Sequence, residues 1–205
     1  KSVEDGNQPK YLLLENVKNL VGKKFKPEFD KWLQTLDSLG YNNYWKVLNA
    51  KDYGVPQNRE RVFVVSIRKD VDTHGYTFPK PFKLERRIKD VLETNVDEKF
   101  YLKQDLTKSF VERLSERDVS NTIRCGGAGS IDQKHTWDLV AEQSKMRIRK
   151  LTPKECWRLM DFTDEEYEAV EKAGVSKTQL YKQAGNSIVV SVLSGIFNNL
   201  LGEQK

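Results

Sequence analysis

Arg59 and Arg61 are the residues whose types and spacing most directly suggest chemistry in this sequence. One residue separates them, and a largely β-branched apolar run follows at residues 62–67. Such a run is typical of a strand that is buried on both faces. Two guanidinium groups at its end could bind an anion or a base edge, because α/β proteins hold ligands at strand ends. The alternative is a pair of solvated side chains.

A carboxylate occupies a comparable position earlier in the chain. Residues 11–14, Tyr-Leu-Leu-Leu, predict a short buried strand, and Glu15 and Asn16 follow it directly. Polar groups therefore stand at the C-terminal end of this strand too. They are either site residues or solvated side chains.

Several elements must position these residues. Pro27 suits the first turn of a helix and Gly40 suits its end. Apolar residues repeat between them at helical spacing, namely Phe29, Trp32, Leu33, Leu36 and Leu39. Residues 45–48 are a weaker strand candidate, before the strong one at 62–67. The order strand, helix, strand, strand with continuous apolar runs predicts part of a largely parallel α/β sheet.

The character of the chain changes after Phe78. Residues 78–82 contain two prolines, and the sequence up to about Lys150 is polar, basic and weakly periodic. This stretch is interpreted as a small second domain. Three helix starts follow, with capping-box or capping residues at Thr152, Thr163 and Ser176.

An apolar stripe ends the chain. Gly185, Asn186 and Ser187 precede a run with helical periodicity between Ile188 and Leu201. This pattern predicts an amphipathic last helix that packs on the sheet. We expect the block at 185–187 to open that helix, so that its backbone amides face a polar ligand.

Composition limits the function classes. The chain has 205 residues, 38% of them apolar, with a net charge of +5 and a pI near 9.0, which favours a polyanionic partner. Cys125 and Cys156 have no metal or redox spacing, so no metal site is predicted and a reducing compartment is favoured. No apolar run approaches transmembrane length, and no membrane partner is expected. Because Lys1 opens the chain and the methionines are Met146 and Met160, we expect a piece of a longer polypeptide.

Four stretches then point to one family. They are residues 9–20 with Glu-Asn-Val, 49–70 with Gln-x-Arg-x-Arg, 149–162 with Arg-x-Leu-Thr-x-x-Glu, and 181–193 with Gly-Asn-Ser. In this order they resemble signature blocks of the DNA cytosine-5 methyltransferases. The resemblance covers nearly the whole chain.

The resemblance implies an α/β fold, a partial Rossmann-like sheet of an S-adenosylmethionine-dependent methyltransferase with a small target recognition domain. It places the C-terminal part of the catalytic domain at 1–89 and 185–205, the recognition domain at 90–151 and hinge helices at 152–184. In the family, a glycine-rich cofactor loop and a Pro-Cys nucleophile come before Glu-Asn-Val, and neither occurs in this sequence. The chain thus resembles the C-terminal part of such an enzyme, incomplete without the missing N-terminal half.

The resemblance assigns catalytic roles to Glu15, Arg59 and Arg61. Glu15 corresponds to the carboxyl group that contacts N3 and the amine of a flipped cytosine, and Asn16 to the residue that fixes its turn. Arg61 is expected nearer the base, and Arg59 nearer Glu15 and the backbone. Cofactor-side candidates for S-adenosylmethionine are Asn186, Ser187 and Phe162. Ordinary core packing is the alternative for Phe162, since Asp161 stands where the family usually has glycine.

Contacts with double-stranded DNA are expected from the recognition segment. Thr122 corresponds to a threonine that touches the DNA backbone, and Gly126 and Gly127 permit close approach to it. Arg124 is a further candidate, and Gln57 is expected to contact DNA or support the loop. Lys134 and His135 are groove or phosphate candidates; each is otherwise a solvated side chain.

The function implied is methyl transfer to C5 of a flipped cytosine, in a restriction–modification or phage context and in the cytoplasm of a bacterial or phage-infected cell. Two alternatives stay open. One is a non-catalytic DNA-binding or regulatory module derived from the same fold. The other is the tRNA-methylating branch of the family, although its Cys-Phe-Thr tripeptide does not occur in this sequence.

Overall fold

The computed structural model describes residues 8–102, 108–123, 139–142 and 146–202. Within these residues the strands and α-helices are, in chain order, β1 (Tyr11–Val17), α1 (Lys26–Ser38), β2 (Tyr41–Asn49), β3 (Gln57–Asn58), β4 (Glu60–Arg68), α2 (Lys108–Ser115), β5 (Ser120–Asn121), β6 (Leu139–Glu142), β7 (Arg147–Lys150), α3 (Pro153–Arg158), α4 (Asp164–Lys172), α5 (Lys177–Asn186) and α6 (Val190–Leu201).

The chain divides into two compact units. The sheet unit contains the described residues up to 49, residues 60–80 and those from 192 onwards, and the second unit contains 50–59 and the described part of 81–191. The boundary falls between Arg59 and Arg61, so the two arginines belong to different units.

Three strands form the sheet of the first unit, in the order β1-β4-β2. Both β1 and β2 pair with β4 in antiparallel fashion, so the predicted parallel arrangement is wrong for these strands. The reason is topological: β1 and β2 run parallel to each other with α1 between them in sequence, and β4 returns to fill the gap between them. An apolar run reports burial on both faces but carries no information about strand direction.

The core of the sheet unit lies under α1. Val62 and Val64 of β4 are fully buried against Phe29, which α1 supplies. Pro27 stands in the first turn of α1, and Gly40 beyond its end has a positive φ of 91°, as the sequence predicted. Gly40 thus lets the chain leave α1 in a left-handed conformation that other residues adopt at a cost.

β1 and β4 differ in burial although both are strongly apolar. β4 is buried from Val62 to Ile67, whereas no residue of β1 is fully buried and Tyr11 and Val17 at its ends are exposed. Among the described residues β1 pairs only with β4, so its other edge has no described strand beside it. The apolar side chains of β1 are therefore less buried by the described residues than their composition predicts.

The second unit consists of small sheets and helices. β3 and β5 form a parallel pair, and β6 and β7 form an antiparallel pair. α2 packs on the latter through a cluster of four buried residues, Val111, Leu114, Leu139 and Ile148. α3 contacts both α4 and α5.

The helix starts at Thr152, Thr163 and Ser176 are confirmed. Each side chain accepts a hydrogen bond from the amide three residues on, and the two threonines have reciprocal glutamate contacts. The predicted start of the last helix at Gly185 is wrong. α5 continues through Gly185 and Asn186, because strong helix formers precede the glycine, and α6 begins only at Val190.

The stretch Lys177–Leu201 is long and apolar enough for a membrane span by length and composition, and 28% of its most apolar 18-residue window is buried. It includes both α5 and α6, which are separated by residues 187–189. Two short helices with a break between them do not constitute a continuous span.

Candidate active site

Glu15 and Arg61 form an ion pair on one face of the sheet. In the β1–β4 register Val17 lies opposite Arg61, so Glu15 is the diagonal neighbour of Arg61 on the same face. Arg61 Nε lies 3.0 Å from Glu15 Oε1, and the two side chains are 16% and 19% exposed. Arg61 also donates to the carbonyl of Glu60 over 2.8 Å, which fixes the direction of the guanidinium. The result is a carboxylate that is oriented but still accessible.

The segment after Glu15 is also held in place. The Asn16 side chain accepts a hydrogen bond from the amide of Val17 over 2.8 Å, so it stabilises the turn that leaves β1. Lys18 makes two contacts of 2.8 and 2.9 Å with the Glu60 carboxylate. This pair is exposed and contributes little by itself.

Arg59 has different partners. Its Nη1 donates to the carbonyl of Ile123 over 3.2 Å, and its Nη2 donates to the carbonyls of Gly185 and Ser187 over 3.0 and 2.9 Å. The side chain is only 4% exposed. The expectation that Arg59 is the arginine nearer Glu15 is wrong, because Arg61 makes that contact. A contact of Arg59 with the backbone of the flipped nucleotide stays a prediction.

Gln57 is fully buried and joins two segments of the second unit. Its Oε1 accepts from the amide of Ile123 over 3.1 Å, and its Nε2 donates to the carbonyl of Leu159 over 2.6 Å. Thr122 Oγ1 donates to the carbonyl of Asn58 over 2.8 Å. Together with the β3–β5 pairing, these contacts fix residues 120–123 on the Gln-x-Arg segment.

Phe162 lies beside Trp157, with ring centroids 4.9 Å apart, and it is half-buried. Asp161 before it has a φ of 68°, in the left-handed region that favours glycine. This backbone conformation accounts for the glycine that the family usually has there. Asp161 also accepts a contact of 3.2 Å from Arg86.

The remaining predicted residues are placed as follows. Asn186 is the last residue of α5 and is exposed, and Ser187 caps that helix with an amide hydrogen bond to Ala184. The Gly-Asn-Ser block therefore presents helix C-terminal carbonyls to Arg59, and not the N-terminal amides that the sequence predicted. Arg124, Gly126, Gly127, Lys134 and His135 lie outside the described residues.

Comparison with known proteins decides the family. The sequence matches the C-5 cytosine-specific DNA methylase family over residues 4–202. The chain belongs to this family. The assignment made from the four blocks is confirmed.

Two relatives show how much of such a methylase this chain represents. It is 42% identical to the type II methyltransferase M2.ScrFI of Lactococcus lactis subsp. cremoris, over 96% of this chain and 56% of that protein. It is 32% identical to the type II methyltransferase M.HhaI of Haemophilus parahaemolyticus, over 94% of this chain and 63% of that protein. The chain thus spans little more than half the length of these relatives.

Solved structures agree on the fold. The Entamoeba histolytica methyltransferase EhMeth matches 100% of this chain and 68% of its own, with a TM-score of 0.70 at 17% identity. The Dnmt2 methyltransferase of S. pombe matches 96% of this chain and 68% of its own, with a TM-score of 0.62 at 20% identity. The predicted α/β methyltransferase fold is confirmed.

A buried ion pair that was not predicted from the sequence lies within one of the methylase blocks. Arg149 and Glu155, the charged ends of Arg-x-Leu-Thr-x-x-Glu, form a fully buried pair with two hydrogen bonds of 2.8 and 2.7 Å. Glu155 also accepts from the amides of Thr152 and Glu93. Burial alone would lower the pKa of Arg149, but its bonds to Glu155 and Glu142 outweigh burial and raise it. The sequence feature that could have predicted this pair is the presence of opposite charges, Arg149 and Glu155, on either side of the start of α3.

We expect Glu155→Gln to lower the free energy of unfolding by about 3–5 kcal/mol, because it removes one partner of a buried pair and leaves Arg149 partly uncompensated. Chemical denaturation of the chain measures this. The matched control is Glu168→Gln, which removes an exposed partner of Lys154 and should cost less than about 1 kcal/mol. Equal losses for the two variants would contradict a structural role of the buried pair.

Proposed function

We propose that this chain is the C-terminal part of a DNA cytosine-5 methyltransferase that methylates a flipped cytosine in duplex DNA. The observation that carries the proposal is the Glu15–Arg61 pair at the end of β1, in a chain of the methylase family. A carboxylate that is oriented by an arginine and remains accessible is the group that cytosine chemistry requires.

Glu15 supplies that chemistry at the base. The cytosine ring is a poor electrophile at C6 until N3 is protonated or strongly hydrogen-bonded. A carboxyl group can donate to N3 and accept from the exocyclic amine, so it activates the ring and distinguishes cytosine from thymine. A base inside a duplex cannot reach Glu15, which is why the proposal includes base flipping.

Arg61 orients Glu15 and also presents donors to the flipped nucleotide. Guanidinium groups are planar and permanently charged, and they suit phosphate and base oxygens. Nε contacts Glu15 and Nη1 contacts the Glu60 carbonyl, so Nη2 is the nitrogen proposed to bind the substrate. The two arginines at the start of β4 therefore have different roles. Arg61 contacts Glu15 in the sheet unit, whereas Arg59 binds backbone carbonyls of the second unit.

Asn186, Ser187 and Phe162 are proposed on the cofactor side. An exposed amide on Asn186 and a half-buried ring on Phe162 suit the polar and aromatic parts of S-adenosylmethionine. The cofactor would supply the methyl group. The residues described here fit part of such a ligand, since they offer one amide, one hydroxyl and one ring.

DNA contacts are proposed for the recognition domain at 90–151. Thr122 is the described candidate, and Arg124, Gly126 and Gly127 complete the set from the sequence. Gln57 would affect DNA binding indirectly, because its side-chain amide is already hydrogen-bonded to the backbone of Ile123 and Leu159. Helices at 152–184 are proposed to connect this domain with the catalytic part.

The partner proposed for β1 is the missing N-terminal half of the methylase domain, in the same longer chain or as a separate subunit. The relative M2.ScrFI is covered over only 56% of its length, which is consistent with such a segment. The half-buried β1, with no described strand on its second edge, and the exposed Phe197 and Leu201 of α6 are apolar surface that another segment would cover. Cys156 is buried in α3, which supports a structural role, and we propose that the nucleophile lies in that other half.

A restriction–modification or phage context and a cytoplasmic location in a bacterial or phage-infected cell complete the proposal. The non-catalytic module and the tRNA-methylating branch are its rivals. A binding module does not require a cytosine-specific carboxylate, so the oriented Glu15 favours the enzyme.

The test is a methyl-transfer assay with labelled S-adenosylmethionine on the complete polypeptide that contains this chain. We expect label in duplex DNA, at 5-methylcytosine located by bisulfite sequencing. Label in tRNA and not in duplex DNA would select the tRNA branch. Binding of DNA without transfer to either substrate would select the regulatory module.

A further inference from the structure

Arg59 joins two segments that are far apart in sequence. Through Nη1 it holds the carbonyl of Ile123, and through Nη2 it holds the carbonyls of Gly185 and Ser187, all within 3.2 Å. These contacts lie within the second unit. One side chain therefore fixes the distance between the end of the 120–123 segment and the turn at 185–187.

Both segments have further constraints that make the connection stiff. The 120–123 segment is held by the β3–β5 pairing and by the amide of Gln57, which bonds the amide of Ile123 over 3.1 Å. The turn at 185–187 is the end of α5, whose partial negative charge favours a cation. A displacement of either segment changes the hydrogen bonds that Arg59 can make to the other.

Arginine is the residue that can make this connection. Its guanidinium places two nitrogens in a rigid planar fork, so one end can face Ile123 while the other faces Gly185 and Ser187. A lysine carries the same charge on a single nitrogen and cannot keep this spacing. The burial of Arg59 at 4% exposure also excludes water that could replace the missing bonds.

We propose that Arg59 is a positioning residue that couples DNA binding to cofactor binding. This rests on the proposed function, which assigns Thr122 to DNA and Asn186 and Ser187 to the cofactor side. DNA that shifts residues 120–123 shifts the Arg59 fork, and the fork transmits that shift to the turn at 185–187. The affinity for the cofactor then depends on whether DNA is bound, and the effect is reciprocal because binding free energies are linked.

The experiment compares Arg59→Lys with the wild type in the complete polypeptide. Calorimetry gives the Kd of S-adenosylhomocysteine without DNA and with a saturating duplex that the wild type methylates. We expect the duplex to tighten wild-type binding about tenfold, within the range usual for coupled sites. In Arg59→Lys the Kd without DNA divided by the Kd with DNA should fall to within twofold of one.

Arg158→Lys is the matched control. Arg158 is also a partly buried arginine of the second unit, with bonds to Asp164 and to the carbonyl of Val91, but it contacts neither of the two joined segments. The Arg158→Lys variant should be less stable than the wild type but keep the wild-type ratio of the two Kd values. The proposal is overturned if Arg59→Lys keeps the ratio, if Arg158→Lys loses it equally, or if wild-type binding is uncoupled.

A measurement on the wild type covers the case in which Arg59→Lys does not fold. In hydrogen exchange, S-adenosylhomocysteine alone should slow exchange in peptides that contain the Ile123 amide. Unchanged exchange there would overturn the coupling. Failure of the proposed function shows separately, as a wild type that transfers no methyl group to DNA.

Discussion

Glu15→Gln in the complete enzyme is expected to lower turnover by about 10²–10⁴-fold, the usual cost of losing a proton-transfer group. The glutamine amide keeps the shape of the side chain and can still bond the base. It cannot protonate N3, however, so the ring at C6 stays a poor electrophile. DNA affinity should change little, since the phosphate contacts that dominate it are untouched.

Single-turnover methyl transfer at saturating cofactor and DNA measures this step directly. Glu60→Gln is the matched control, because Glu60 is also a carboxylate of the sheet unit in contact with a basic side chain, Lys18, and is 43% exposed. It should keep turnover within threefold of the wild type. If Glu15→Gln also stays within threefold, Glu15 has no catalytic role.

The isolated 205-residue chain is expected to bind S-adenosylmethionine weakly or not at all and to transfer no methyl group. A second polypeptide that carries the glycine-rich and Pro-Cys blocks should restore both, because it supplies the cofactor loop and the thiolate that attacks C6. The physical basis for association is the apolar surface on β1 and α6. Activity should appear only in the mixture and should depend on its concentration.

The assay uses labelled cofactor on the chain alone, on the second polypeptide alone and on the mixture. A Pro-Ser variant of the second polypeptide is the control for nucleophile identity and should bind without transfer. Methylation by the isolated chain would mean that the nucleophile has been assigned to the wrong segment. Stable association without activity would favour the regulatory module.

Local signals in the sequence were sufficient for several elements. Thr152 and Thr163 specify their helix starts by side chains that bond neighbouring amides, so three or four residues contain the whole signal. Gly40 ends α1 for an equally local reason. The composition of residues 62–67 was enough to predict a central buried strand, because burial on both faces requires apolar side chains at consecutive positions.

Other features depend on contacts that no local pattern contains. The antiparallel direction of β4 relative to β1 and β2 appears only in the pairing of strands that are separated in sequence. The partners of Arg59 are backbone carbonyls, and every residue has one, so Ile123, Gly185 and Ser187 carried no signal as acceptors. The helix boundary at Gly185 was misplaced because glycine is tolerated near a helix end as well as beyond it.

The β1-β4-β2 order also determines when this sheet can form as the protein is made. The central strand is the last of the three in sequence, and the two outer strands bond to it and not to each other. Until the ribosome has released β4, β1 and β2 lack the partner that satisfies their backbone groups. The nascent chain therefore carries two unpaired strands through a period in which non-native pairing competes with folding. Synthesis rate and chaperone access while residues 11–68 emerge should thus influence the yield of folded protein.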